Sequence, residues 1–77
     1  MKPAKPVDGF LDVSTRGKRR KAVARVVGML KDVREAEELF MSRVPPNLQG
    51  GDAYAAADES VDAIVDAVSS LTDAYWP

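Results

Sequence analysis

From residue 54 onward, apolar residues return in alternating steps of three and four: Tyr54, Ala57, Val61, Ile64, Val68, Leu71 and Tyr75. That spacing keeps one face of an α-helix apolar over three heptads. The columns beside it are informative. Ala53, Ser60, Ala67 and Ala74 form a flank of small residues. Asp58, Val65 and Thr72 form the other flank, and Asp52, Glu59, Asp66 and Asp73 recur on the back. An earlier stretch reads as helix too, with Val23, Val26, Leu30, Val33 and Phe40 as its apolar seam and Glu37 at the position left open. Ala22, Met29 and Ala36 flank this seam on one side, Val27 and Met41 on the other.

Punctuation sets the boundaries. Ser14 or Thr15 can cap the first helix by accepting a backbone N–H near Gly17 or Lys18. Val44-Pro45-Pro46 stops it near Arg43, because proline lacks an N–H and disfavours α geometry in the residue before it. VPPNLQGG is a turn, and Asp52 is placed to cap the second helix. Residues 1–13, with Pro3, Pro6 and Gly9, have no helical period and read as an extended arm. Its apolar residues Phe10 and Leu11 either fold back over the helices or dock on a partner. The expected organisation is an arm over 1–13 and a hairpin over 14–77, with helix 15–43, turn 44–51 and helix 52–75.

Both helices have apolar faces broader than a lone two-helix hairpin can bury. The expected fold is therefore all-α: an antiparallel, coiled-coil-like two-helix hairpin that dimerises into a four-helix bundle. Size points the same way. A chain of 77 residues has a modest core, and folds this small usually need a staple. With no Cys and no His, a disulfide and the usual zinc sites are excluded, which leaves a partner chain. A cytoplasmic location is expected, without a membrane role, since no apolar run approaches the ~20 residues of a span and MKPAKPVDGF lacks a signal-peptide core.

Charge adds one question. Residues 1–31 carry nine Lys/Arg against two Asp, a net +7, and residues 32–77 carry two Arg against ten Asp/Glu, a net −8. Arg16, Lys18, Arg19, Arg20, Lys21 and Arg25 all fall at the start of the first helix, where the helix dipole is already positive. Either the chain itself offsets them, through Asp62, Asp66 and Asp73 at the adjacent end of the second helix, or they contact nucleic acid or an acidic partner. Against the second reading stand a pI near 5.3 and the lack of a known nucleic-acid motif. Trp76 either stacks on a cation from that same stretch or is an exposed anchor for a partner. Glu37 either fixes register or reaches out to solvent.

Catalysis is not expected: there is no Cys or His, and no serine has an activating partner in sequence. The acidic residues Asp58, Glu59, Asp62 and Asp66 lack a calcium-loop pattern and read as a solvated face, so no metal or cofactor is expected.

VPPNLQGGDAYAAADESVDAIVDAVSSLTDAY resembles the C-terminal half of small helical proteins common in phages and prophages. Those proteins carry a Pro-x-Asn/Ser-Leu-Gln turn followed by an acidic, Ala-rich heptad helix. The matching residues here are Pro45 to Gln49 and then Ala53 to Tyr75. This chain departs in a second helix richer in Val and Ala and in a much more basic start to the first. AYAAADESVDAIVDAV also resembles the last helix of ribosome-hibernation factors, which place strands where this chain has a long helix. The first resemblance implies a phage or mobile-element origin, in the host cytoplasm, and a binding role without catalytic residues. The function read from the whole is a non-enzymatic protein-interaction module. It would block a host factor or act as an adaptor, with a protein partner that the sequence does not name. The alternatives are a nucleic-acid-binding accessory protein and a structural subunit of a larger assembly.

Overall fold

Two helices and a short turn make up residues 12–77, the part of the chain that the computed structural model describes. Helix α1 spans Arg16–Ser42 and helix α2 spans Asp52–Tyr75, with one 3₁₀ turn at Pro46–Leu48 between them. The described residues contain no strand, and the helices pack against each other along their length as an all-α hairpin. Most of the expected arm, including Phe10 and Leu11, lies outside the described residues.

Local chemistry explains each boundary. Thr15 has an extended backbone, and its Oγ1 accepts the Lys18 N–H at 3.1 Å. That cap is worth ~1 kcal/mol. At the other end, the N–H groups of Arg43 and Val44 turn back to the carbonyls of Phe40 and Met41, at 3.0 and 3.2 Å. Pro45, extended at φ −60°, then redirects the chain. The cap of α2 is Gly51 rather than Asp52. A Cβ at Gly51 would sit 3.3 Å from the Leu48 carbonyl oxygen, so the turn is tight there. Asp52 is instead the first helical residue, where its carboxylate opposes the positive end of the helix dipole.

In α2 the seven seam residues, Tyr54 through Tyr75, are all buried or half-buried. In α1 the seam differs from the sequence reading. The side chains turned inward are Val23, Val27, Leu30, Arg34, Glu37 and Met41. Val23 and Leu30 belong to the expected seam, but Val26, Val33 and Phe40 do not face α2. They are 47%, 49% and 42% exposed. Their places are taken by residues one position later, Val27, Arg34 and Met41, while Glu37 holds the seam position that the sequence gives it. Arg34 Nε is buried without a hydrogen-bond partner and lies 3.9 Å from Glu38 Oε1. The core is correspondingly thin: among the described residues only Val27 and Ala57 are buried, at 9% and 4% exposure.

Candidate interaction surface

From Val23 to Met41 in α1 and throughout α2, every residue immediately before a seam residue is uncharged. In α1 these are Ala22, Val26, Met29, Val33, Ala36 and Phe40. In α2 they are Ala53, Ala56, Ser60, Ala63, Ala67, Ser70 and Ala74. The two sets share one side of the hairpin. A half-turn about an axis normal to the plane of the pair exchanges antiparallel helices and leaves each side where it was, so like flanks meet. The result is a continuous face: a stripe of large apolar side chains on α1 beside a column of alanines and serines on α2. Met29 is the most exposed of the stripe, at 60%.

The residues immediately after each seam residue make the opposite face, and it is different in kind. Lys31, Glu35, Glu38, Asp58 and Asp62 all lie there. The two faces are equally far from the seam, yet one carries five charges and the other none. Solubility alone does not require that asymmetry. Exposed apolar residues scattered singly are ordinary, whereas Val26, Met29, Val33 and Phe40 form one contiguous stripe.

The basic start of α1 has a definite structural role. Arg16 Nη2 donates to the Ala74 carbonyl at 2.9 Å, and Arg20 Nε donates to the Tyr75 carbonyl at 2.9 Å. These are among the last carbonyls of α2, which have no intrahelical N–H to accept and carry the negative end of the helix dipole. The Arg16 guanidinium also lies over the Tyr75 ring, 4.4 Å from its centre. Of the two readings of Trp76, a stack on a cation or an exposed anchor, the stack falls to Tyr75 instead; Trp76 packs beside Tyr75, with ring centres 6.2 Å apart, and is 41% exposed. Arg19 Nη1 donates to the Val13 carbonyl at 3.1 Å, and Lys18 Nζ pairs with Asp12 at 2.7 Å. Four of the six cations thus serve the hairpin. The ones that meet α2 bind its backbone, and among the described residues none forms an ion pair with Asp62, Asp66 or Asp73. Lys21 and Arg25 have no hydrogen-bond or ion-pair partner among the described residues.

Asp12 organises the entry to α1. Its Oδ2 accepts from Lys18, and its Oδ1 accepts the Ser14 N–H at 3.0 Å. The Lys18 hydrogen bond, with help from Ser14, lowers its carboxyl pKa to about 2. The other acidic residues of interest, Asp58, Glu59, Asp62 and Asp66, are exposed along α2. Among the described residues, no group of three or more acidic side chains is gathered closely enough to hold a metal ion. No helix there is long and apolar enough to cross a membrane.

Comparison of the chain with family models, with curated proteins and with solved structures finds no match in any of the three.

Proposed function

We propose that this hairpin is a non-enzymatic protein-interaction module whose working part is the uncharged face. One observation carries the reading: thirteen consecutive pre-seam positions, on two helices, hold no charge while four large apolar side chains among them stay 42–60% exposed. A partner that covers this face supplies the burial that the hairpin lacks, since two buried residues are too few to offset the entropy of ordering the chain. The clamp of Arg16 and Arg20 on the end of α2 holds the two helices side by side, so the face is presented as one rigid unit. The likeness of Pro45–Gln49 and the helix after it to phage and prophage proteins supports a phage or mobile-element origin. An inhibitor of a host factor, or an adaptor between two proteins, needs such a surface and no catalytic group.

The test uses the absence of cysteine. Val33→Cys and Val65→Cys place single thiols at sites of similar exposure in the hairpin, 49% and 44%, but on opposite faces. In cells making the full chain, the thiol at 33 labels at least about tenfold more slowly than the one at 65. Equal rates show that the face is bare and overturn the proposal.

A further inference from the structure

We infer that the uncharged face is covered by a second copy of this chain, with α1 of each copy against α2 of the other. This rests on the reading of that face as a docking surface and names its occupant; any further partner then meets the opposite face, with Lys31, Glu35, Glu38, Asp58 and Asp62.

Geometry supplies the first argument. Each residue of the stripe precedes a seam residue by one position, which is about 100° of helix rotation. A helix at the corner of a square four-helix bundle must face two neighbours about 90° apart, and here both helices have the two surfaces that this needs. Area is the second argument. From Ala22 to Phe40 the face runs about 27 Å, across two helices about 10 Å wide, so two copies bury roughly 1,100 Å² before side-chain relief is added. That lies just below the ~1,200–2,000 Å² of stable interfaces, and the protruding Met29, Val33 and Phe40 side chains add to it. Large side chains on α1 beside alanines on α2 also suit each other: placed over the partner's small column, the stripe of Met29, Val33 and Phe40 has room to interdigitate.

Charge selects the arrangement. Beyond the uncharged face, the rim of α2 carries Asp52, Glu59, Asp66 and Asp73, none of which is ion-paired within the described hairpin. A two-fold axis across the helices sets this row against itself, eight carboxylates facing one another. A two-fold axis along the helices sets α1 antiparallel to the partner's α2. With the register of the hairpin itself, Arg25 then falls between Asp66 and Asp73, and Arg43 falls opposite Asp52. Asp32 is the one rim residue of α1 that meets like charge. Neighbouring helices are antiparallel and their dipoles offset one another under either axis, so the rows of charged side chains alone discriminate.

The experiment begins with the solution mass of the full chain at tens of micromolar, by sedimentation. A mass of twice 8.3 kDa is expected, and a monomer or a larger assembly overturns the inference. Orientation is read from chains carrying one cysteine each. An equal mixture of Met29→Cys and Ala67→Cys chains forms the mixed disulfide as its main product under mild oxidation, because these positions lie at one level on α1 and the partner's α2. A dominant disulfide between Met29→Cys and Val33→Cys chains instead shows α1 on α1 and overturns the arrangement. Should a variant fail to fold, Arg25→Glu tests the same geometry on an exposed residue: it weakens the dimer severalfold at low salt, and Asp66→Lys in the same chain restores it. No loss, or no restoration, counts against the axis along the helices. A monomeric mass combined with slow labelling at residue 33 in cells removes the second copy as occupant and leaves the interaction module standing.

Discussion

Replacing Arg16 and Arg20 together by alanine removes the link between the start of α1 and the end of α2. Each arginine donates one hydrogen bond of 2.9 Å to a terminal carbonyl of α2. A cation at a helix C-terminus contributes about 0.3–1 kcal/mol when exposed, as both of these are. Arg16 adds its stacking on Tyr75, worth about 0.5–1 kcal/mol at an exposed site. The double replacement is therefore expected to cost about 1–3 kcal/mol, with Arg16 the larger share. For a domain of this size, each kcal/mol moves the thermal midpoint by about 4–8 °C. The assay is thermal unfolding followed by circular dichroism at one fixed concentration. Lys21→Ala is the control for each single replacement: it removes one positive charge from the same stretch but no partner among the described residues, and its effect stays within about 0.5 kcal/mol. Equal losses for Arg16, Arg20 and Lys21 would show that only the net charge of the stretch matters. The clamp would then have no role in stability.

Three further outcomes follow from the same geometry. Arg34→Leu fills the charged gap in the α1 seam and raises stability by about 1 kcal/mol, read as a higher denaturation midpoint; a lower one would mean that Arg34 is needed where it is. Asp12 titrates near 2 by NMR, and Lys18→Ala returns it toward the ordinary carboxylate range near 3.9. Because its pKa is lowered on folding, its contribution is full above the unfolded value and fades as pH falls from about 4 to about 2, so the first turn of α1 loosens there and not at neutral pH. Binding to a generic duplex stays weak even at low salt, because Arg16, Lys18, Arg19 and Arg20 are held by the hairpin; micromolar affinity with a steep salt dependence would make the basic start a phosphate-tracking patch instead.

The helical hairpin and its punctuation are legible because they depend on single residues with strong local preferences. Thr15 caps, Pro45 and Pro46 stop, and the glycines turn. The seam of α2 is legible because that helix has one stripe of large apolar residues. The seam of α1 is not, because two apolar stripes interleave there. Val23-Val26-Leu30-Val33 and Val23-Val27-Leu30 both step by threes and fours, and periodicity cannot say which of them meets the hairpin's own second helix. The choice is made by long-range contacts: the clamp of Arg16 and Arg20 on the end of α2 and the path of the chain from Val44 to Gly51. Those contacts rotate the more apolar stripe outward and bring Arg34 in, with Glu37 at a seam position in either case. The partners of the basic start were hidden for a related reason. A run of cations directs attention to carboxylates, whereas Arg16 and Arg20 bind backbone carbonyls, which no side-chain letter records. Stacking fell to Tyr75 and not Trp76 because one residue along a helix is about 100° of rotation, and only Tyr75 is in the seam.

The measurement that bears most directly on the account is the thermal midpoint of the full chain over a hundredfold range of concentration. A hairpin completed by a second copy unfolds at higher temperature as concentration rises. Val65→Lys keeps that dependence, and Val33→Lys removes it along with much of the stability. A midpoint that stays constant on dilution, or one that responds equally to a lysine on either face, would mean that no second copy completes the hairpin through its uncharged face.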